Sequence, residues 1–300
     1  MKIIITGGTG FIGKALSRVL VSKGYEVIAL TRSVRPSDIA GVRNVVWDGC
    51  TSGGWAEFAE GAKAIVNLAG ENIAAGRWTA RRKESIEKSR LDAGKAVCEA
   101  VSRVKVRPEV VVQGSAVGFY GSCGPQPVDE NSPQGDSFLA GVAGRWEKST
   151  AKVEDLGVRR VVIRTGMVLG HGGALAKMLP PFNAGLGAFL GSGHQGVSWI
   201  HLNDEVRAIV FLIENQGCHG VYNLSSFNPI TSNKFNTILG EVLNRKIFFR
   251  MPAFALKLAL GQMAEEVLLG GQFVLPQRLI SEGFSFENPE LADALADILD

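Results

Sequence analysis

Three glycines near the start of the chain have a spacing that suits phosphate binding. Gly7, Gly10 and Gly13 recur at every third position within the segment TGGTGFIG, residues 6–13. Between a strand and a helix, the first glycine permits a tight turn, the second lets the backbone approach a pyrophosphate, and the third lets the helix pack on the strand. The free N–H groups at the helix start then bind the phosphates. We therefore predict that this turn binds a dinucleotide through Gly7, Gly8, Thr9, Gly10, Phe11, Ile12 and Gly13.

The residues on either side of this turn predict the strand and the helix that such a site requires. Residues 2–5 are mostly β-branched and apolar, which is typical of a buried strand. After the turn, apolar residues recur with the period of an amphipathic helix: Ile12, Ala15, Leu16, Val19 and Leu20. This context favours a nucleotide-binding turn over a loop that is merely rich in glycine.

The end of the second predicted strand, residues 25–31, indicates which dinucleotide the chain prefers. A fold that binds NAD usually has an acidic residue there for the ribose 2′-hydroxyl. This chain has Thr31 and Arg32 instead, with Arg35 close by. Because a guanidinium matches a phosphate in both charge and geometry, we predict that Thr31 and Arg32 lie at the 2′-phosphate and that the cofactor is NADP. The alternative is a surface arginine at a strand end.

Two further strand ends supply candidate cofactor contacts. Asp48 follows the predicted strand 44–47, where its carboxylate could bind the adenine amino group or only cap a turn; the sequence does not distinguish these roles. The predicted strand 64–70 ends with Leu68, Ala69 and Gly70, whose backbone is expected to face the ribose and phosphates. These positions belong together because ligands of parallel α/β sheets bind at the carboxyl ends of the strands.

Strands and helices alternate through residue 165, which predicts an α/β fold with a doubly wound parallel sheet of the Rossmann type. We expect helices over residues 79–104 and 144–156, and a helix from Glu205 with Asp204 as its N-cap. The region after residue 166, including residues 179–182, is expected to be rich in loops. The predicted NADP-binding domain comprises residues 1–166 and 199–226, and a smaller, discontinuous substrate lobe comprises residues 167–198 and 227–300.

Composition narrows the classes of partner. The 300 residues carry a net charge of only +3, so nucleic acid and membranes are not expected as partners. The four cysteines show no CxxC spacing, so we expect no metal site and no redox pair. No apolar run approaches the roughly 20 residues that span a bilayer, and no signal peptide is recognised. We expect a cytoplasmic protein with a small-molecule substrate, and the sequence leaves open whether it forms a homo-oligomer.

Longer motifs resemble one family over the whole chain. TGGTGFIG, NLAG at 67–70, SAVGFYG at 115–121 and WIHLND at 199–204 are similar to the extended short-chain dehydrogenases/reductases. NLAGENI, KMLPPF, GSGHQ and LPQRLISEGF resemble more narrowly its atypical epimerase-family subgroup, which has a small C-terminal domain. The resemblance implies a Rossmann domain with bound NADP and a substrate held between that domain and the C-terminal lobe. It also implies that Arg90 occupies the place of an asparagine that faces the cofactor in related enzymes.

The chain departs from this family at the residues that usually do the chemistry. Extended members carry a Tyr-x-x-x-Lys motif whose lysine lies about four residues before a glutamate in a helix. Glu147 resembles that glutamate. Counting back from it places Leu139 at the tyrosine position and Ala143 at the lysine position. The resemblance therefore leaves Ser115 as the predicted catalytic residue, although the alignment allows Ala116 to occupy the serine position instead.

Other groups remain as candidate proton donors. If the protein is an enzyme, the proton must come from Ser115, Tyr120, Glu71, His201 or water. Of these, Glu71 is interpreted first as an exposed loop acid and His201 as a structural histidine. A further departure concerns the substrate, because Val197 replaces the arginine with which nucleotide-sugar epimerases hold a diphosphate.

The function predicted from these residues is exchange of a hydride between NADP and a carbonyl or alcohol of a small molecule, as a reduction or an epimerisation. The alternative is a catalytically silent protein that binds NADP and reports the state of the cofactor to a partner. The missing tyrosine and lysine favour the alternative. The loops of residues 170–195, which suit an elaborated pocket, favour the enzyme.

Overall fold

A computed structural model of the chain describes residues 1–33 and 36–300. Its strands are β1 (Lys2–Thr6), β2 (Glu26–Thr31), β3 (Val42–Val46), β4 (Ala64–Asn67), β5 (Val110–Ala116), β6 (Pro127–Val128), β7 (Arg159–Thr165), β8 (Met167–Leu169), β9 (Ala188–Leu190), β10 (Gly196–Val197), β11 (Trp199–His201), β12 (Gly220–Leu224), β13 (Ile230–Thr231), β14 (Phe249–Met251) and β15 (Phe273–Val274). Its helices are α1 (Phe11–Ser22), α2 (Ala80–Arg103), α3 (Phe138–Lys148), α4 (Lys152–Asp155), α5 (Gly173–Asn183), α6 (Leu202–Glu214), α7 (Ser232–Val242), α8 (Ala253–Leu260), α9 (Gln277–Ser281) and α10 (Leu291–Leu299).

Seven strands form one parallel sheet in the order β12-β7-β5-β4-β1-β2-β3. The chain moves outward from β1 to β3 on one side and from β4 to β12 on the other, so the sheet is doubly wound. Its strands are apolar runs buried on both faces, as parallel sheets require: residues 3–5, 110–112 and 161–163 are almost fully buried. All strands end at one edge, and the reversal of strand order between β1 and β4 opens a crevice there.

Two apolar cores cover the faces of the sheet. On one face α1 and α6 pack on the sheet through a cluster that includes Leu16, Leu20 and Ile209. On the other face α2 packs through Ala93, Val97 and other small side chains. A third cluster joins α5, α7, α10 and β11, outside the sheet. No helix in the described part of the chain is both long and apolar enough to cross a membrane.

Several predicted boundaries were wrong, each for a local reason. The region expected to form one helix over residues 144–156 contains the end of α3, which stops at Lys148, and the separate short helix α4. Helix α3 begins earlier than predicted, at Phe138, because the Ser137 side chain caps it by accepting a hydrogen bond from the Ala140 N–H. The predicted cap Asp204 lies inside the first turn of α6; His201 caps that helix through a bond from the Asn203 N–H.

The prolines of residues 179–182 were also misplaced. Pro180 and Pro181 belong to α5 rather than to a loop. The predicted division into residues 1–166 with 199–226 and residues 167–198 with 227–300 remains a prediction.

Candidate active site

A cavity of about 520 Å³ opens at the carboxyl edge of the sheet, beside β1, β2, β3 and β4. Nine of the predicted cofactor residues line it: Gly7, Thr9, Gly10, Thr31, Arg32, Asp48, Leu68, Ala69 and Gly70. Helix α2 contributes Ser85, Lys88, Ser89 and Asp92, none of which had been predicted to contact the cofactor. The cavity therefore combines the glycine turn with the ends of the strands and with residues of α2.

The glycine turn has little room for side chains. Gly7 has φ +71°, in the left-handed region that favours glycine. A Cβ on Gly13 would press against the carbonyl oxygen of Gly7 and lie 2.8 Å from Cα of Gly8, and one on Gly8 would lie 2.6 Å from Cβ of Ala29. Gly8 and Gly13 lie outside the cavity lining, and these contacts show that they seat α1 against β1 and β2.

The N-terminus of α1 is suited to an anion. Its N-cap is Gly10, which provides no side-chain hydrogen bond, and the first turn contains no acidic residue. The N–H groups of Phe11 and Ile12 therefore have no side-chain cap to compete with a phosphate. The Phe11 ring lies against Gly170, Gly172 and Gly173, between the end of β8 and the start of α5.

A ladder of buried amides fixes the turn after β4. The Thr6 hydroxyl donates to Oδ1 of Asn67 at 2.6 Å and accepts the Ala69 N–H at 3.1 Å. Nδ2 of Asn67 donates to Oε1 of Gln113 at 2.9 Å, so the ladder crosses β1, β4 and β5. All three side chains are fully buried. These bonds hold the Leu68–Ala69–Gly70 backbone at the cavity, and the ladder could not be recognised from local sequence because its members are far apart in the chain.

Arg90 supports the same turn from α2. Its Nη1 donates to the carbonyl oxygens of Glu71 and Ile86, and its guanidinium lies 5.0 Å from the ring centroid of Trp146. Burial lowers the pKa of Arg90 to about 10, which still leaves it charged at neutral pH. A Cβ on Gly70 would lie 3.0 Å from Cζ of Arg90. Arg90 thus adjoins the predicted cofactor segment without lining the cavity, and its direct contact with the cofactor remains a prediction.

Arg32 stands at the rim of the cavity with its side chain 80% exposed. Its Nη1 lies 3.9 Å from Oε2 of Glu71, whereas Arg82 binds the other oxygen of Glu71 at 2.8 Å. Arg32 is therefore held loosely and is accessible to a phosphate, while Glu71 forms ion pairs with two guanidinium groups and a hydrogen bond with Arg82 alone. Thr31 accepts the Ser33 N–H at 3.3 Å and so shapes the strand end. Arg35 lies outside the described residues.

Asp48 has the turn-capping role that the sequence allowed. Its Oδ1 accepts the N–H groups of Cys50 and Thr51 at 2.8 Å, and its Oδ2 accepts the Thr51 hydroxyl at 2.7 Å. The two backbone bonds hold the pKa of Asp48 well below its ordinary value. It also lines the cavity, so an adenine contact remains a prediction.

Ser115 belongs to a buried network behind the sheet edge. Its hydroxyl donates to Oε1 of Glu147 at 2.7 Å, and Arg164 binds both oxygens of Glu147, at 2.8 and 3.0 Å. Nη1 of Arg164 donates to the Tyr120 hydroxyl at 3.0 Å, which in turn donates to Oδ1 of Asn223 at 2.7 Å. The protons of Ser115 and Tyr120 are thus committed within the network. Burial raises the pKa of Tyr120, which disfavours its acting as an acid.

The positions that would hold the missing tyrosine and lysine are apolar. Leu139 packs in a cluster with Ile73, Trp78 and Met263, which joins α2 and α3 to the turn after α8. Glu266, in a π-helical turn at Ala264–Leu269, accepts the N–H groups of Phe138 and Leu139 and so caps α3. Ala143 is buried nearby on the same helix. No polar side chain replaces the usual pair at these two positions.

The remaining candidates have structural partners. Nδ1 of His201 accepts the Asn203 N–H, its Nε2 lies 3.3 Å from Asp297, and burial lowers its pKa. Outside this set of candidates, Lys177 of the KMLPPF motif donates to the carbonyl oxygen of Ala74 at 2.8 Å, which ties α5 to the loop before α2. Among residues 1–33 and 36–300, no group of His, Cys, Asp and Glu side chains could hold a metal ion.

Residues 3–225 match the NAD dependent epimerase/dehydratase family, and residues 251–298 match a domain of unknown function, DUF1731. Epimerase family protein YfhF of Bacillus subtilis (strain 168) is 35% identical and covers 100% of this chain and 98% of its own length. Epimerase family protein SDR39U1 of Homo sapiens is 34% identical, and both chains are covered completely.

Solved structures confirm the fold. The crystal structure of human epimerase family protein SDR39U1 (isoform2) with NADPH superposes with a TM-score of 0.89, at 34% identity, over 99% of both chains. UDP-glucose 4-epimerase of Thermus thermophilus, solved with NAD, has a TM-score of 0.79 at 18% identity over 98% of both chains, a similarity that concerns the fold alone. The resemblance and the fold class predicted from the motifs are thereby confirmed. The chain belongs to the NAD dependent epimerase/dehydratase family.

Proposed function

We propose that this protein binds NADP(H) and transfers a hydride between it and a carbonyl or alcohol group of a small molecule. The observation that carries the proposal is the cavity itself, in which a glycine turn with an uncapped helix N-terminus lies beside an exposed arginine at the end of β2. NADPH in the human relative supports the choice of cofactor.

The residues present fit this cofactor in parts. The N–H groups of Phe11 and Ile12 would hold the pyrophosphate, Leu68–Gly70 would face a ribose, and Arg32 would pair with the 2′-phosphate. When bound, NADPH supplies the hydride. The protein must bind the cofactor, exclude water and provide a proton for the oxygen of the substrate.

Ser115 is proposed to orient the substrate rather than to protonate it. Because its proton is donated to Glu147, its oxygen can only accept a bond from a substrate hydroxyl while the network is intact. A rate measurement distinguishes Ser115 from Ala116 as the residue that faces the substrate. We expect Ser115→Ala to lower the rate of NADPH oxidation with a panel of aldehydes, ketones and quinones, at unchanged NADPH affinity. Fast turnover that survives this substitution would refute the role of Ser115.

The second candidate, a silent NADP(H)-binding sensor, is favoured by one observation. The position of the usual tyrosine is filled by the apolar cluster of Leu139, and both Ser115 and Tyr120 are committed to other partners. Tight NADPH binding without turnover on any carbonyl of the panel would favour the sensor over the enzyme.

A further inference from the structure

A carboxyl group is buried behind the end of β7 without the partners that such a group usually has. Glu205 is fully buried in the first turn of α6. Its Oε1 accepts a hydrogen bond from the Thr165 hydroxyl at 2.8 Å. Its Oε2 has no hydrogen-bond partner within residues 1–33 and 36–300. Since a buried carboxylate needs several donors, this environment favours the neutral acid.

Within residues 1–33 and 36–300, the named charged groups on α6 and on the elements packed against it have other partners. Elements packed on α6 include α1, β5, β8 and β11. On α1, the hydrogen bond from Lys14 and the positive charges of Lys14 and Arg18 lower the pKa of Asp38. On β11, His201 lies against Asp297. On α6 itself, Asp204 accepts the N–H groups of Glu287 and Asn288 as well as a bond from Arg207. β5 and β8 contain no titratable side chain.

Burial decides the charge of Glu205 against the helix dipole. The first turn of a helix favours a carboxylate. Burial nevertheless raises the pKa of Glu205 to about 8, and the Thr165 bond opposes that rise only in part. Glu205 therefore holds a proton at neutral pH.

The position of Thr165 connects this proton to the sheet edge. Thr165 is the last residue of β7, is only partly buried, and pairs in register with Ala116, the last residue of β5. The adenosine half of a dinucleotide would lie in the cavity beside β1–β3. Its nicotinamide half would then extend across the crevice to the ends of β4, β5 and β7.

The helix starts around Thr165 converge on the same edge. A Cβ on Gly170 would lie 2.9 Å from Cζ of Phe11, at the start of α1, and 3.2 Å from Cδ2 of Leu202, at the start of α6. Glu205 thus lies one turn into a helix that begins beside the pyrophosphate-binding turn. The Thr165 hydroxyl is hydrogen-bonded to this buried acid, and Thr165 ends β7 at the carboxyl edge of the sheet.

We propose that Thr165 and Glu205 form a proton-delivery pair for the oxygen of a substrate held at the nicotinamide ring, in the absence of the usual tyrosine and lysine. In a reduction, the carbonyl carbon gains the hydride with its two electrons and the π-bond pair moves onto oxygen. Unlike Glu147, which is salt-bridged to Arg164, Glu205 carries a proton that it can donate to the Thr165 oxygen, and this frees the Thr165 proton. The substrate oxygen takes the proton of Thr165, Thr165 regains one from Glu205, and solvent reprotonates Glu205 before the next turnover. Thr165 is the residue that meets the substrate, and Glu205 acts through it. This inference rests on the proposed function.

The test uses proton linkage, so it does not depend on finding the substrate. NADP⁺ carries a positive nicotinamide ring and NADPH does not, whereas both carry the same 2′-phosphate. A positive ring near the pair lowers the affinity of Glu205 for its proton. We expect NADP⁺ to release more protons than NADPH does near pH 8, measured by titration calorimetry in buffers of different ionisation enthalpy. Glu205→Gln should abolish this difference while both cofactors still bind.

A matched control is available on the same helix. Glu214 ends α6 and is exposed against Lys23, so Glu214→Gln should leave the proton difference unchanged. If both cofactors bind and the difference in proton release between NADP⁺ and NADPH is the same in the unmutated protein and in Glu205→Gln, the delivery pair is overturned and the proposed function stays intact. Failure of either cofactor to bind the unmutated protein would instead overturn the proposed function, and with it this pair.

A second readout applies to any carbonyl of the panel that the protein reduces. Thr165→Val should lower kcat by about a hundredfold, as loss of general acid catalysis does, whereas Thr165→Ser should keep most of the activity. Adding Glu205→Gln to Thr165→Val should cause no further loss, because both act in one path. If the double variant instead shows the product of the two separate losses in kcat, Thr165 and Glu205 do not act in one path and the proposal is contradicted.

Discussion

The hydroxyl of Ser115 lies 2.7 Å from Oε1 of Glu147, and the same carboxylate is bound through both oxygens by Arg164. These three side chains bring β5, α3 and β7 together at one end of the sheet. The serine that the family resemblance selects for catalysis is therefore also part of a buried ion pair. Stability and chemistry at this position can be separated by comparing substitutions along the network.

We expect that, among substitutions at Glu147, Ser115 and Glu87, loss of the Glu147 carboxylate lowers the free energy of unfolding most. Glu147→Gln leaves the Arg164 charge buried without a counter-charge, which costs about 3–5 kcal/mol of unfolding free energy. Ser115→Ala removes one bond to a carboxylate that keeps both arginine bonds, which costs about 1–3 kcal/mol. Urea unfolding measures both values. Glu87→Gln is the control, because Glu87 pairs with Arg145 in a partly exposed salt bridge worth about 0–1 kcal/mol. A Glu147→Gln cost below that of Ser115→Ala would contradict this order.

Glu205 gives the stability a pH dependence whose sign is fixed. Its folded-state pKa of about 8 lies above its ordinary value of 4.5. Between these values the folded state holds a proton that the unfolded state has lost, so stability falls as pH rises, by about 1.4 kcal/mol per pH unit. Glu205→Gln removes this pH dependence, so its free energy of unfolding should rise relative to that of the unmutated protein between pH 5 and pH 8. Urea unfolding across that range tests it, with Glu214→Gln as the control; parallel profiles for Glu205→Gln and the unmutated protein would rule it out.

The glycine turn makes a prediction about steric room. Gly13→Ala would force a methyl group against the Gly7 carbonyl oxygen and to within 2.8 Å of Cα of Gly8, so the turn must shift. We expect a loss of at least about tenfold in NADPH affinity, corresponding to about 1.4 kcal/mol, together with a lower melting temperature. Gly53→Ala is the control, because a Cβ there meets only Oγ1 of Thr51, at 3.6 Å. Equal affinity of Gly13→Ala and the control would show that the turn tolerates a side chain.

The absence of an arginine at position 197 predicts weak binding of nucleotide sugars. Val197 packs against the apolar cluster of α5, α7 and α10. Arg164, which could have compensated, is held by Glu147 and Tyr120. We expect no thermal shift with UDP-glucose, UDP-galactose or a dTDP-sugar in the presence of NADPH. A shift that corresponds to micromolar affinity would show that another cation, such as the exposed Arg77, holds the diphosphate.

The sequence predicted those features that depend on local pattern. Glycine spacing located the turn at Gly7–Gly13, and β-branched apolar runs located the buried strands. The predicted helix start at residue 144 was wrong because Ser137 and, from far along the chain, Glu266 cap α3 at Phe138. The pairs Ser115–Glu147 and Thr165–Glu205 were beyond sequence reasoning, because their members lie 32 and 40 residues apart and meet only through the packing of helices on the sheet.

The most direct test of the central claim is titration of the unmutated protein and of Arg32→Asp with NADPH and NADH by calorimetry. A charge-assisted bond from Arg32 to the 2′-phosphate is worth about 1.5–3 kcal/mol, so NADPH should bind about ten- to a hundredfold more tightly than NADH, and Arg32→Asp should erase or reverse that preference. Arg103→Asp, at the exposed far end of α2, is the control and should retain it. Equal affinities of the unmutated protein for NADPH and NADH would contradict the account.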